Sequence, residues 1–156
     1  MSETGLITLE MSELVPIIKE AIAEGGEVKV RVKGYSMEPF LVDGRDSVFF
    51  SALPQRPFKV GDILLFKRTN GKYVMHRVYD VNSNGITFVG DSQRTLEPGI
   101  QPDQVIARVR KAVRKGKTIN TEGIWRVIFT VWMKLRIKHY KTAKRLLRLY
   151  CFMTGK

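Results

Sequence analysis

The chain has 156 residues, 44% of them hydrophobic, which excludes a disordered polymer and fits one domain with an appendage; its one cysteine, Cys151, excludes an internal disulfide and points away from an oxidising compartment. The net charge of +12 is unevenly spread: residues 108–156 hold 15 Lys/Arg and a single acid, Glu122, while residues 1–107 hold 12 basic and 14 acidic residues. A nearly neutral body therefore carries a strongly basic tail, a surface suited to the phosphate groups of lipid or nucleic acid.

Residues 12–24 read as an amphipathic helix: Ser12 can cap it, and Leu14, Ile17, Ile18, Ala21 and Ile22 fall on one face. Pro16 fits only in the first turn of such a helix, and Gly25 and Gly26 end it. The segment "LVPIIKEAIA" closes on an Ala-x-Ala pattern, but acids precede it and Lys19 and Glu20 interrupt it, so it reads as helix rather than as an export signal. No apolar stretch reaches the roughly 18 residues of a membrane span. The expected location is the cytoplasm or the cytoplasmic face of the membrane.

Next, "EVKVRVKG" (27–34) alternates, with Val28, Val30 and Val32 on one side and Lys29, Arg31 and Lys33 on the other, the pattern of a half-buried strand. Further strands are read at 47–51 (SVFFS), 62–67 (DILLFK), 72–81 (KYVMHRVYDV), 85–90 (GITFVG) and 104–113 (QVIARVRKAV), with hairpin signals at Asn70-Gly71 and Asn84-Gly85. Residues 1–26 are thus a helix and lead-in, and 27–115 one mainly β domain. After "RKGKT" (114–118) the period turns helical: across 122–153, Ile124, Ile128, Val131, Leu135, Ala143, Leu146, Leu149 and Met153 recur among basic residues. This tail either lies on an anionic membrane surface or packs on the β domain. In the first case Trp125, Phe129 and Trp132 enter the interface while Lys138, Lys141, Lys144, Arg145 and Arg148 meet headgroups. Its longest uncharged run in the apolar half, Val127–Met133, has seven residues and cannot span a bilayer.

Few residues carry chemistry. Ser36 sits in "KGYSMEPFLVDG" (33–44), either as a turn residue bonding its own backbone or as a nucleophile at a strand end, which needs a base and an orienting group elsewhere. Of the two histidines, His139 lies among Lys138 and Lys141 and reads as solvated; His76 lies inside a strand, as a structural residue or a base. Asp62 and Asp91 each follow a glycine at a strand end, an ordinary turn signal. Cys151 reads as a passive apolar residue.

Taken in order, "GYSMEPFLVDG", "VGDILLFK", "VMHRVYDV" and "FVGD" resemble the boxes of type I signal peptidases and, more broadly, the serine peptidase clan that includes the self-cleaving LexA-type repressors. The resemblance covers about residues 20–113 and implies a signal-peptidase/LexA-like coiled β-sheet domain. Typical bacterial signal peptidases and LexA-type proteins place a lysine at the base position, whereas archaeal and endoplasmic-reticulum enzymes place a His-Arg pair. "MHRV" is similar to the second branch; Lys72 lies in the turn before the strand and does not match. The resemblance implies Ser36 as nucleophile, His76 as general base and Asp91 as orienting acid, with Glu97 where many relatives carry a second acid. It implies no cofactor or metal, and a peptide substrate added as an extended strand. Met37 is expected to pack beneath the serine. Two departures stand out: Arg45 separates Gly44 from Asp46, where relatives have Gly-Asp directly after the serine box, and an amphipathic helix precedes that box where this branch carries a transmembrane anchor.

These residue types suit acyl transfer. A histidine titrates near neutrality, so it can take the serine proton and return it to the leaving amine, while a carboxylate fixes the imidazole tautomer. The expected activity is a serine endopeptidase cutting a leader, signal or precursor peptide. The alternatives are a non-catalytic peptide-binding relative of the same fold and a self-cleaving regulator, though residues 1–26 are too few for a helix-turn-helix head. The basic tail contains no recognisable nucleic-acid reading motif, so nucleic acid is not an expected partner.

Overall fold

The computed structural model describes residues 9–139. The sequence readings at Lys141, Ala143, Lys144, Arg145, Leu146, Arg148, Leu149, Cys151 and Met153 lie outside the described residues. Helix α1 (Met11–Ala23) leads into β1 (Val28–Arg31), β2 (Ser47–Ser51), β3 (Ile63–Lys67), β4 (Tyr73–Asn82), β5 (Gly85–Val89) and β6 (Glu97–Ile100). A 3-10 turn at Pro102–Gln104, β7 (Val105–Arg114), β8 (Lys117–Asn120) and α2 (Ile124–Lys138) follow. The strands form one antiparallel sheet in the order β1-β2-β7-β3-β4-β5-β6, with β8 paired to β7 off that path. The fold is mainly β, as the sequence leads one to expect.

Alternation explains the sheet's two cores. On β3, Ile63 and Leu65 join one buried cluster with Met37, Phe40, Leu41, Val48, Phe50 and Val109. Leu64 and Phe66 point the other way, into a second cluster with Val78, Ile86, Phe88 and Val105. Both faces of β3 are covered, which is why its sequence is a continuous apolar run rather than an alternating one. Helix α1 buries Val15 and Ile18 in the first cluster.

Three local expectations are corrected. Helix α1 is capped at Glu10, not Ser12: the Glu10 N–H donates to the Glu13 carboxylate at 2.8 Å, while the Glu10 carbonyl accepts from Glu13 and Leu14. Pro16 consequently lies in the second turn, where it has no N–H to donate to the carbonyl of exposed Ser12. Residues 114–118 form a hairpin, and a further strand follows before the period turns helical: Arg114 pairs with Lys117, and Lys115 and Gly116 both take positive φ, as a type I′ turn requires. Strand β6 was also unanticipated; its Pro98-Gly99 pair hides an edge strand from any alternation test.

Of the two readings of the tail, its described part packs on the sheet. Phe129 joins the first cluster with its ring 4.3 Å from Phe40, and Trp125 stacks on Phe129 at 6.1 Å. Trp125, Phe129 and Trp132, expected at a membrane interface, are therefore turned inward. The helix approaches Gly61 so closely that a Cβ there would come within 2.6 Å of the Arg126 side chain. Among the described residues, no helix is long and apolar enough to cross a membrane.

Candidate active site

Strand β4 carries both His76 and Arg77, and strand geometry sends neighbouring side chains to opposite faces. Tyr73 and Met75 pack with the first cluster, Val74 and Val78 with the second. By the same alternation Arg77 belongs to the first face and His76 to the second. Each meets a different carboxylate there.

On the first face, buried Arg77 donates from Nε and Nη2 to the two oxygens of buried Asp91, at 2.8 and 2.7 Å, and from Nη1 to the Gly61 carbonyl at 3.0 Å. Its guanidinium lies over the Phe40 and Phe129 rings, 5.2 and 5.4 Å from their centroids. Asp91 is thus fully engaged in locking β4 to the end of β5 and does not stand behind the imidazole. The acid expected behind the imidazole is placed on Arg77 instead.

On the second face, buried His76 sits opposite Leu64 and near the Phe66 ring. Strand register brings it an acid. Glu97 pairs with Phe88, and Phe88 with Val78, so Glu97 emerges on the face that His76 uses. Its Oε1 lies 2.8 Å from His76 Nδ1. Glu97 is held from behind by Arg68, whose Nε and Nη2 donate to its two oxygens at 2.5 and 2.7 Å. With Nδ1 on the carboxylate, Nε2 is the nitrogen left to take a proton.

The electrostatics follow from this placement. Burial pushes the His76 pKa below its ordinary 6.5; the Glu97 charge opposes that shift and the Arg68 charge assists it, and the net effect favours the neutral imidazole. Burial would raise the Glu97 carboxyl, but the Arg68 hydrogen bond and the His76 and Arg68 charges overcome it and hold Glu97 below the usual range. Arg68 is the member of this cluster that the sequence reading missed. Nothing in "FKRTNGK" announces a partner 29 residues away on an edge strand.

Ser36 is half-buried between exposed Tyr35 and buried Met37, which packs in the first cluster as expected. Its turn is docked on the end of β5: Ser92 donates its N–H to the Ser36 carbonyl at 2.9 Å and its hydroxyl to the Tyr35 carbonyl at 2.7 Å. A Cβ on Gly90 would sit 2.6 Å from the Ser36 carbonyl oxygen, so the approach requires glycine. The β4–β5 register pairs Arg77 with Val89, and one step further it sets Gly90 abreast of His76. The "VGD" sequence thus has a reason at each position: Val89 pairs, Gly90 admits the serine turn and Asp91 binds Arg77. None of the described hydrogen bonds joins the Ser36 hydroxyl to His76.

The inserted Arg45 is also accounted for. Its guanidinium donates to both oxygens of buried Asp46, at 2.8 and 2.7 Å, and Asp46 further accepts the N–H groups of Val42 and Lys115. Burial would raise the Asp46 carboxyl, but these bonds hold it below the usual range. The pair ties the loop after Ser36 to the β7–β8 turn. Asp62 is structural: it accepts two bonds from Arg56 and the Lys59 N–H, and it lines a cavity of about 10 Å³ with Arg108, Glu122 and Arg126, apart from the residues above. Lys72 is exposed, with its backbone closing the β3–β4 turn.

Among the described residues, no group of three or more His, Cys, Asp or Glu is placed to hold a metal ion. No protein-family model and no curated protein matches the chain.

Proposed function

We propose that the chain is a serine endopeptidase of the signal-peptidase/LexA-like kind, cutting a leader, signal or precursor peptide. Ser36 attacks the scissile carbonyl, and His76 Nε2 takes the hydroxyl proton and later returns it to the leaving amine. Glu97 orients the imidazole and stabilises its charged form, with Arg68 holding the carboxylate in place. Asp91 acts indirectly, by pinning Arg77 and the turn on which Ser36 rests. Backbone N–H groups of the Ser36 turn are the candidates for stabilising the tetrahedral oxyanion.

The observation that carries this reading is a buried histidine with a carboxylate 2.8 Å from Nδ1, abreast of the glycine on which the serine turn is docked. The missing Ser36–His76 hydrogen bond favours a second reading, a non-catalytic peptide binder. Catalytic hydrogen bonds are often long in free enzymes and tighten when substrate binds, which keeps the catalytic reading first.

A serine-directed fluorophosphonate separates them. The enzyme reading expects labelling of the wild type, none for Ser36→Ala, severe loss for His76→Ala and little change for Lys72→Ala. A folded wild-type protein that is not labelled is the binder.

A further inference from the structure

Helix α2 is apolar on two opposite faces. The inward face carries Phe129 and Met133, both buried. The outward face carries Ile124, Val127, Ile128, Val131 and Leu135, each 40 to 67% exposed. At 3.6 residues per turn these five form one stripe along the full helix. An amphipathic surface helix would place charge there. The cations on this face, Lys134 and Lys138, stand at its C-terminal end, and α2 contains no acid. From residue 123 to the C-terminus the chain has nine Lys/Arg and no Asp or Glu.

We propose that the outward face of α2 is a docking surface for an anionic lipid bilayer. The stripe would enter the acyl boundary while Lys134 and Lys138 reach outward to headgroup phosphates and carboxylates. The 15 residues of α2 extend about 22 Å, less than the roughly 30 Å hydrocarbon core, so the helix lies in the interface rather than across it.

Charge decides between occupants. A second copy paired in parallel about a two-fold axis would set each lysine pair near its own equivalent, and one paired antiparallel would lay the lysines against the apolar Ile124 end of the stripe, with no acid on the helix to offset them in either case. A nucleic-acid backbone would satisfy the lysines but leave the apolar stripe in water. An anionic bilayer satisfies both.

The surface is also mechanically connected to the candidate site. From the inward side Arg136 donates to the Gly90 carbonyl at 3.1 Å, and Trp132 Nε1 to the Asp91 carbonyl at 3.4 Å. A docked α2 therefore fixes the distance from the lipid surface to the turn that carries Ser36. The docking itself does not depend on the catalytic reading.

The test is flotation of the full chain with phosphatidylcholine vesicles, with and without phosphatidylserine. Binding is expected with phosphatidylserine only and should weaken as salt approaches about 1 M, where the screening length is about 3 Å. Val127→Glu with Val131→Glu should lower binding by about a hundredfold, since each position loses a buried valine at about tenfold apiece. Both positions are exposed, so thermal unfolding and fluorophosphonate labelling of the double variant should match the wild type. Binding that survives the double substitution would overturn the proposal, because the basic tail would then suffice. So would equal binding to neutral vesicles, or a solution dimer that the same substitutions dissociate.

Discussion

Two carboxylates near His76 do different work, and substitution separates them. Asp91→Asn leaves buried Arg77 without its counter-charge, a loss of about 3–5 kcal/mol in urea denaturation. Glu97→Gln leaves the folded state much closer to wild type, because Glu97 is partly solvated, but should slow labelling and cleavage on the order of a thousandfold. The reverse pattern, a stable Asp91→Asn protein with no activity, would restore Asp91 as the orienting acid. The pH dependence follows from the lowered His76 pKa. The unfolded chain binds a proton to this group more readily than the folded chain does, so His76 favours folding above 6.5, and that contribution is lost as pH falls below 6.5 through the folded value. Labelling should likewise be flat above 6.5 and decline below it. Glu97→Gln removes a charge that raises the His76 pKa and should shift the acid limb further down. That Ser36 lies in a turn and His76 inside a strand was legible from the short motifs around them. The choice between Asp91 and Glu97 was not, because it depends on which face of the sheet each reaches, and that is set by strand register rather than by neighbouring residues.

The elements were legible where one physical signal dominated. β2 was read to the residue from its apolar run and β4 to within one residue from its flanking turns. β6 and β8 escaped because four residues are too few to show a period, and "EPGI" breaks the pattern it should display. The packing of α2 was undecidable from sequence: a helix apolar on both faces fits a sheet and a membrane equally well. Phe129 tests the packed side. Its ring lies against Phe40, Trp125 and the Arg77 guanidinium, so Phe129→Ala should cost about 3–5 kcal/mol in denaturant unfolding. Labelling should slow with it, since Phe129 supports the Arg77–Asp91 lock. Leu135→Ala, on the exposed face, should stay within about 0.5 kcal/mol of wild type. Comparable losses at both positions would mean that α2 is gripped on both sides. Gly90→Ala is the matching test at the end of β5: a methyl 2.6 Å from the Ser36 carbonyl must displace the serine turn, so labelling should fall more than stability does.

Across the whole molecule, a single sheet keeps two kinds of carboxylate apart. One face holds the Arg77–Asp91 lock beneath α2, and the other holds the Arg68–Glu97–His76 chain. The Ser36 turn is docked on the segment that follows β5, through Ser92. The charge is divided as well, with a nearly neutral body and a basic C-terminal third. The central claim is that this arrangement makes Ser36 a nucleophile, and it is tested most directly by fluorophosphonate labelling of the full chain followed by mass-spectrometric location of the adduct. The account predicts one adduct, on Ser36, absent from Ser36→Ala and severely reduced in His76→Ala and Glu97→Gln. An adduct on Ser47, Ser51 or Ser92, or labelling that persists in Ser36→Ala, would contradict it.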